Sequence, residues 1–309
     1  MLRILFAARS ERWDQYQGPL TQALAKVGLD AQLGTDLPPE TIDYIVYAPN
    51  SHITDFTPFK RLKAVLNLWA GVEDVAGNPT LTVPLARMIE DGLTEGMTEW
   101  VTAHVLRHHL DLDIHIIRQD GTWDDRPPPL ARDRTVAVLG LGQLGGAVAT
   151  ALAALNFRVL GWSRRPKTLH GIDTRSGAGG LAQTLGEAEI VVLLLPLTTE
   201  TDGILDADRF AALRPGAVLL NPGRGGLVDD DALIAALDNG HLGHATLDVF
   251  RTEPLPADHP FWAHPGITVT PHIASATRVQ TASEAIAVNI VRAEAGEPLK
   301  GLVDRHAGY

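Results

Sequence analysis

Three closely spaced glycines mark the stretch of this sequence whose chemistry is easiest to predict. Gly140, Gly142 and Gly145 form a G-x-G-x-x-G motif directly after the apolar run 136–139, which reads as a buried strand. The Ala- and Leu-rich segment 144–155 predicts a helix, and residues 157–161 predict a second strand. Backbone N–H groups at the start of such a helix bind a pyrophosphate. The motif therefore predicts a dinucleotide site that includes Gln143 and Leu144, although a tight structural turn is the alternative reading.

The residues after the second strand indicate which dinucleotide is bound. Enzymes that use NAD usually carry an acidic residue there, which binds the ribose hydroxyls and repels a 2′-phosphate. This chain has Ser163 at that point, followed by Arg164, Arg165 and Lys167. A hydroxyl and a basic cluster suit a phosphate dianion. We therefore expect NADP(H) as the cofactor, with NAD(H) bound more weakly, and a solvated basic turn is the alternative.

Polar residues also follow three later strand candidates. Residues 221–226 read NPGRGG, residues 248–256 read DVFRTEPLP, and residues 270–274 read TPHIA. Ligands of parallel α/β sheets bind at the carboxyl ends of the strands. These three stretches are therefore candidates for a ligand or catalytic site.

The pattern of elements predicts two α/β domains. Strand candidates alternate with helical stretches, which is typical of parallel sheets covered on both faces; the candidates are 2–8, 42–48, 62–68, 189–195, 217–221, 245–250 and 267–270. A long helix is expected over 97–119 and a last one over 275–295. If the last helix returns to the first domain, residues 1–95 and 281–309 form a discontinuous domain and 96–280 form the second. The expected site is then the cleft between the domains.

Composition limits the classes of function. The formal net charge of −11 argues against nucleic acid or an anionic membrane as a partner. The absence of cysteine excludes disulfides, thiol catalysis and Cys-ligated metals. The apolar run at the start of the chain is too short for a signal peptide or a membrane span. These features predict a cytoplasmic protein.

Other titratable clusters have more ordinary interpretations than a metal site. His104 and His108 are four residues apart on the predicted long helix, but no third ligand is apparent, and His241 and His244 are no better placed. The acidic run at residues 229–231 precedes an apolar helical stretch and suits helix capping. We therefore expect no metal.

The order of the motifs resembles that of the D-2-hydroxyacid dehydrogenases, over nearly the whole chain. The resemblance lies in the glycine motif, N-x-x-R-G-G, L-D-V-F-x-x-E-P-L-P and T-P-H-I-A. Residues 194–198 (LLPLT), 161–164 (GWSR) and the C-terminal segment are similar, more narrowly, to the glyoxylate/hydroxypyruvate reductase A branch. The fold implied is a pair of Rossmann-like and flavodoxin-like domains with parallel sheets. The reaction implied is the NADPH-dependent reduction of small 2-keto acids such as glyoxylate and hydroxypyruvate.

The resemblance also implies roles for individual residues. His272 is the proton donor, Glu253 pairs with it and favours its charged form, and Arg224 binds the keto acid and polarises its carbonyl. Asp248 faces the nicotinamide carboxamide. The remaining cofactor contacts implied are Leu195, Pro196, Pro222, Gly223 and His272.

The substrate carboxylate is expected on backbone N–H groups of Ala70, Gly71 and Val72. The family pattern there is G-A-G-V-D, whereas this chain has Trp69 and Glu73 at the two ends. Trp69 either lines the pocket or packs beneath the loop. Tyr47 and Asn50, which follow a strand candidate of the first domain, are weaker candidates for the pocket wall.

Two functions remain open on the sequence. The first is the reductase, which the presence of Arg224, Glu253 and His272 together favours. The second is a non-catalytic dinucleotide sensor that binds a protein partner through the same fold. We also expect a homodimer, with segment 97–119 in the interface, because that segment carries apolar residues on more than one face. Those residues are Trp100, Val101, Val105, Leu106, Ile114 and Ile117.

Overall fold

The chain folds into two compact units. The structure, a computed structural model, describes residues 1–117 and 119–309. One unit contains residues 1–93 and 276–309, and the other contains residues 94–275. Among the described residues, no helix combines the length and the apolar character needed to cross a membrane.

The strands and helices are numbered here in chain order. The strands are β1 (Leu2–Ala7), β2 (Ala31–Gly34), β3 (Tyr44–Tyr47), β4 (Ala64–Asn67), β5 (Leu85–Ala86), β6 (Thr135–Leu139), β7 (Arg158–Ser163), β8 (Asp173–Ser176), β9 (Ile190–Leu193), β10 (Ala217–Asn221), β11 (Leu242–Leu247) and β12 (Ile267–Val269). The helices are α1 (Ser10–Lys26), α2 (Glu73–Ala76), α3 (Asp91–His109), α4 (Leu112–Ile117), α5 (Gln143–Ala154), α6 (Gly177–Glu187), α7 (Ala207–Ala211), α8 (Asp230–Asp238) and α9 (Val279–Glu294).

The first unit is built on a five-stranded parallel sheet in the order β2-β1-β3-β4-β5. Its central strands β3 and β4 are fully buried, as expected for parallel strands covered on both faces. Helices α1 and α9 pack on one face with Ile4, Leu66 and Ile286 in their core. The other face is covered by a second apolar cluster that includes Val75 of α2 and Phe56.

The second unit is built on a seven-stranded parallel sheet in the order β12-β11-β10-β9-β6-β7-β8. The strand order reverses between β6 and β9, and ligands bind at such switch points. Both faces are covered by apolar clusters, one of which includes Val101 and Val105 of α3. The predicted fold class, α/β with two parallel sheets, is confirmed.

The long helix predicted over 97–119 differs from the helix observed. Helix α3 begins six residues earlier, at Asp91, and ends at His109, and α4 follows after a break. Asp111 has a positive φ of 49°, which a continuing α-helix does not allow. After this break, the carboxylate of Asp113 forms a bidentate ion pair with the guanidinium of Arg107. Arg118 lies outside the described residues.

The apolar residues of the predicted long helix fall into two groups. Val101 and Val105 are fully buried, and Trp100 and Leu106 pack against the same cluster of their own unit. The exposed ones lie on α4, where Ile114 and Ile117 are 47% and 81% exposed. On α3 these side chains thus pack at least in part inside their own unit, whereas α4 carries the strongly exposed ones. The homodimer interface stays a prediction.

Candidate active site

The glycine motif has the geometry of a loop that cradles a ligand. Gly140 has a φ of +105°, and a Cβ there would lie 2.4 Å from the carbonyl oxygen of Leu194. A Cβ on Gly145 would lie 1.7 Å from the carbonyl oxygen of Gly140, so helix α5 can approach β6 only if this residue is glycine. A Cβ on Gly142, immediately before Gln143 and Leu144 in α5, would meet no atom within 4 Å. The loop therefore leaves open space at the helix N-terminus, where a pyrophosphate fits.

The residues at the end of β7 form a polar turn beside the glycine loop. Ser163 Oγ donates to the carbonyl of Arg165 at 2.7 Å, and Lys167 Nζ donates to the carbonyl of Leu141 at 2.6 Å. Arg164 forms an ion pair with Glu200 at 2.7 Å. The basic side chains are exposed, so they can reorient toward a bound phosphate.

Other predicted cofactor residues follow neighbouring strands of the same sheet. Leu195 and Pro196 come just after β9, and Pro222 and Gly223 come just after β10. A Cβ on Gly223 would lie 2.8 Å from the carbonyl oxygen of Leu193. The two strand ends therefore run close together, and this places both pairs along one edge of the sheet.

The loop that carries Arg224 is shaped by a buried asparagine. Asn221 Nδ2 donates to the carbonyl of Arg224 at 2.9 Å, and Asn221 Oδ1 accepts from the N–H of Gly223. The Arg224 guanidinium donates to the carbonyl of Gly223. A Cβ on Gly225 would lie 2.0 Å from the carbonyl carbon of Phe250. Glycine at position 225 therefore lets the Arg224 loop touch the backbone that leads to Glu253.

His272 and Glu253 form a close pair. Nδ1 of His272 lies 2.6 Å from Oε2 of Glu253. The other carboxylate oxygen, Oε1, accepts from the N–H of Phe250, which fixes the carboxylate. A carboxylate at Nδ1 makes that nitrogen the donor and leaves Nε2 to exchange a proton with a ligand. Nε2 has no hydrogen bond to another described residue, and the side chain is 51% exposed.

Asp248 holds the turn that presents His272, a role that the sequence did not reveal. Its fully buried carboxylate accepts hydrogen bonds from the hydroxyl of Thr270 and from the N–H groups of Ile273 and Ala274. His272 itself has a φ of +53°, a conformation that a non-glycine residue keeps only when its surroundings hold it. These bonds span 22 to 26 positions, so no local pattern could indicate them.

The predicted carboxylate loop lies at the end of β4 in the first unit. Two of its carbonyl groups accept hydrogen bonds, since Leu68 accepts from Thr277 Oγ1 and Trp69 accepts from the N–H of Met88. The N–H groups of Ala70, Gly71 and Val72 have no acceptor among the described residues. The Trp69 side chain is 40% exposed, whereas a ring packed beneath the loop would be buried.

Tyr47 belongs to the core of the first unit. It is 5% exposed, its hydroxyl donates to the carbonyl of Ile53, and its ring contacts Phe56 edge-on. Burial raises the pKa of the phenol above its usual value. These contacts account for Tyr47 without a ligand.

The histidines of α3 pack onto the second unit's sheet. His108 Nε2 lies 3.0 Å from Thr246 Oγ1, and its ring centroid is 5.0 Å from that of His244. Burial lowers the pKa of His108 to about 3 and that of His244 to about 4. In the described part of the chain, no group of three or more His, Asp or Glu side chains could hold a metal ion. The acidic run contains a helix cap, as predicted, because Asp229 accepts from the N–H of Ala232.

Comparison with known proteins places this site in a family. Residues 101–274 match the model of the D-isomer specific 2-hydroxyacid dehydrogenase NAD binding domain. The chain is 42% identical over 257 residues to glyoxylate/hydroxypyruvate reductase A of Serratia proteamaculans (strain 568), covering 81% of this chain and 82% of that protein.

Two solved structures resemble the whole chain. One is a D-isomer specific 2-hydroxyacid dehydrogenase from Xanthobacter autotrophicus Py2 in complex with NADPH and MES, with a TM-score of 0.92, 39% identity and 99% coverage of both chains. The other is an NADPH-dependent glyoxylate/hydroxypyruvate reductase from Sinorhizobium meliloti in complex with NADP and sulfate, with a TM-score of 0.86, 35% identity and 100% coverage of both chains. The family match, the identity and the shared fold agree, and the chain belongs to the D-isomer specific 2-hydroxyacid dehydrogenases.

Proposed function

We propose that the protein reduces small 2-keto acids, with glyoxylate and hydroxypyruvate as substrates and NADPH as the preferred cofactor. The observation that carries this proposal is the pair of His272 and Glu253, in which Nε2 of the imidazole has no hydrogen bond to another described residue. The similarity to reductases of glyoxylate and hydroxypyruvate supports the choice of substrates. We assign cofactor binding to the unit of residues 94–275 and substrate binding to the unit of residues 1–93 and 276–309.

His272 acts as the general acid of this reaction. Reduction adds a hydride to C2 of the keto acid and a proton to its carbonyl oxygen, and a bound reduced nicotinamide supplies the hydride. Glu253 holds Nδ1 of the imidazole, and the protonated ring gives its proton from Nε2 to the carbonyl oxygen. In the reverse reaction the same nitrogen takes the proton from the hydroxyl.

The carboxylate and the carbonyl of the keto acid need separate partners. Arg224 polarises the carbonyl oxygen and contributes to anion binding, since its planar guanidinium can form two parallel hydrogen bonds. The N–H groups of Ala70, Gly71 and Val72, which have no acceptor in the described part of the chain, bind the carboxylate. The exposed ring of Trp69 borders that position and limits the size of the C2 substituent. Tyr47 takes no part.

The cofactor is held at the glycine motif and at the turn after β7. The open space at Gly142 takes the pyrophosphate, and Leu195, Pro196, Pro222 and Gly223 line the same strand ends. We assign the nicotinamide carboxamide to the side of Asp248, whose buried carboxylate fixes the adjoining turn through three hydrogen bonds.

Preference for NADPH comes from Ser163, Arg164, Arg165 and Lys167. Charge-assisted bonds from these side chains to a 2′-phosphate compete with the existing bonds to Glu200 and to the Leu141 carbonyl. For this exposed site we expect kcat/KM to favour NADPH over NADH by roughly 10- to 1,000-fold. Replacing Ser163 with Asp and Arg164 with Ala should reduce that ratio. Equal kcat/KM values in the wild type would mean that these side chains do not bind the phosphate.

Turnover tests the proposal directly. The purified protein is mixed with NADPH and either glyoxylate or hydroxypyruvate, and loss of the reduced nicotinamide absorbance is followed. A panel of other 2-keto acids identifies the best substrate by kcat/KM. Cofactor binding without turnover of any keto acid would refute the reductase and favour a dinucleotide sensor.

We also propose that the protein is a homodimer. Helix α4 and the chain that follows it expose large apolar side chains, namely Ile114, Ile116, Ile117, Trp123 and Leu130. Water contact at Ile116 and Ile117, which are 69% and 81% exposed, is unfavourable, and a second copy would remove it. Light scattering on the wild type should give twice the chain mass, and Ile116→Asp with Ile117→Asp should give monomers. A monomeric wild type at micromolar concentration would contradict this.

A further inference from the structure

We infer that Asn67 is the positioning residue of the carboxylate loop, which keeps the N–H groups of Ala70, Gly71 and Val72 directed at the ligand. This inference rests on the proposed function, because it concerns how the loop binds a 2-keto acid. Sequence reasoning did not single out Asn67, which lies inside the apolar run of strand β4.

The side-chain amide of Asn67 holds two carbonyl groups of the loop at once. Nδ2 donates to the carbonyl of Trp69 at 2.9 Å and to the carbonyl of Gly71 at 2.8 Å. Both hydrogens of the NH2 group are therefore used. The two carbonyls are held at the end of β4, while the N–H groups of Ala70, Gly71 and Val72 find no acceptor among the residues that the structure describes.

The orientation of this amide is fixed by its surroundings. Asn67 is 1% exposed, and its buried Oδ1 has no hydrogen-bond partner within residues 1–117 and 119–309. Rotating the amide by half a turn would place Oδ1 against two carbonyl oxygens and leave both donors unused. A buried acceptor without a partner is unfavourable, so the two donated bonds outweigh that cost here. Only a side chain with two hydrogens on one atom can form this pair of bonds at this position.

The other hydrogen bonds of the loop hold its first two residues, Leu68 and Trp69. The carbonyl of Leu68 accepts from Thr277 Oγ1, and the N–H of Leu68 donates to the carbonyl of Tyr47. The carbonyl of Trp69 also accepts from the N–H of Met88. None of these bonds reaches beyond Trp69. Among the described residues, Asn67 supplies the side-chain bond to Gly71, whose N–H is one of those proposed to bind the carboxylate.

A comparison of two substitutions tests the inference. Asn67→Asp keeps the shape but replaces the two donors with an anionic oxygen facing two carbonyls. Asn67→Leu removes the donors together with the unpaired acceptor. Both variants should raise KM for glyoxylate by about 10-fold or more. Because the loop binds the keto acid and not the cofactor, KM for NADPH should stay within about twofold of the wild type.

The matched control is Asn78→Asp, an identical change in the same unit. Asn78 Nδ2 also donates to a carbonyl, that of Thr54, and lies outside the proposed carboxylate loop. This variant should keep the wild-type KM for glyoxylate. Thermal unfolding of all variants separates loop geometry from loss of fold.

The outcomes are distinct. If the wild type reduces no keto acid, the proposed function fails first. If the wild type is active and both Asn67 variants are folded with an unchanged KM for glyoxylate, Asn67 does not position the loop. If KM for NADPH rises together with KM for glyoxylate, Asn67 supports the whole protein and not the carboxylate loop, and the inference is overturned. Should Asn67→Asp fail to fold, Asn67→Leu decides, because it buries no charge.

Discussion

At the scale of single residues, His272 is the proposed proton donor, and Glu253 and Asp248 hold it in place. Glu253 orients His272 through one oxygen and is itself fixed by the N–H of Phe250 through the other. Asp248 holds the turn on which His272 lies. The proton donor is thus fixed both at its ring and at its backbone. This arrangement allows the role of the imidazole to be tested apart from cofactor binding.

Replacing the imidazole should remove catalysis and leave cofactor binding intact. We expect His272→Asn to lower kcat for glyoxylate reduction by roughly 10²- to 10⁴-fold, because a positioned general acid contributes about that much. The dissociation constant for NADPH, measured by fluorescence titration, should change little. His306→Asn is the control, since His306 is exposed near the C-terminus. A His272→Asn rate within about twofold of the wild type would mean that another group delivers the proton.

Replacing the carboxylate should weaken catalysis less than replacing the imidazole. Glu253→Gln keeps the shape and one oxygen that can accept from Nδ1 of His272, but it loses the second acceptor oxygen that now binds the N–H of Phe250. We therefore expect the fall in kcat for glyoxylate reduction to be smaller than that in His272→Asn, because the ring is held less firmly but is still present. Asp258→Asn, an exposed change in the same loop, should keep the wild-type kcat. A Glu253→Gln variant as active as the wild type would show that the pair does not contribute to catalysis.

At the scale of elements, the sequence predicted the strands that are runs of apolar residues and the turns that carry a local motif. The central strands are buried apolar runs, and the glycine motif follows one of them, so both were recognisable. Strand β8, Asp-Thr-Arg-Ser, lies at the sheet edge and has no apolar signal, and β5 is only two residues long. Both were missed.

The same contrast holds for the candidate site. Arg224, Glu253 and His272 were predicted because they lie in recognisable motifs at strand ends, and the structure brings His272 and Glu253 together. Their catalytic roles stay a prediction. The structural roles of Asp248 and Asn67 were missed. The first depends on bonds across 22 to 26 positions, and the second on the direction of one buried amide. Sequence patterns carry neither kind of information.

Helices α3 and α9 share one capping residue, which yields a prediction about stability. The buried carboxylate of Glu90 accepts from the N–H groups of Gly92 and Leu93 at the start of α3, and from the N–H of Arg278 and the hydroxyl of Thr281 at the start of α9. Negative charge at a helix N-terminus is stabilising, and buried donors that lose their acceptor are costly.

Glu90→Ala should therefore lower the free energy of unfolding by about 2–4 kcal/mol, measured by urea denaturation. Glu90→Gln keeps one acceptor oxygen and should have an intermediate effect. Glu95→Ala, an exposed change on α3, serves as the control and should be close to neutral. A loss as small in Glu90→Ala as in Glu95→Ala would show that water replaces the carboxylate at both helix ends.

At the scale of the whole molecule, buried histidines connect stability to pH. His104, His108 and His109 lie on α3, His244 lies on β11, and burial lowers the pKa of all four below the usual value. His108 and His244 bond to the hydroxyls of Thr246 and Thr268, and Arg107 also donates to Thr268. Protonation would place two more positive charges beside that guanidinium, so the folded state keeps both rings neutral.

Lowering the pH should therefore decrease the free energy of unfolding of the second unit, because these rings take up protons when it unfolds. Unfolded histidines take up protons near the ordinary pKa of 6.5, whereas the folded protein holds His244 neutral to about 4 and His108 to about 3. Between pH 6.5 and 4 the unfolded state thus binds more protons, and stability falls as the pH is lowered. The slope should be at most about 1.4 kcal/mol per pH unit for each ring.

Urea denaturation across this range should show a smaller slope for the double variant His108→Gln with His244→Gln. The exposed control His170→Gln should match the wild type, and an unchanged slope in the double variant would assign the acid sensitivity to carboxylates instead.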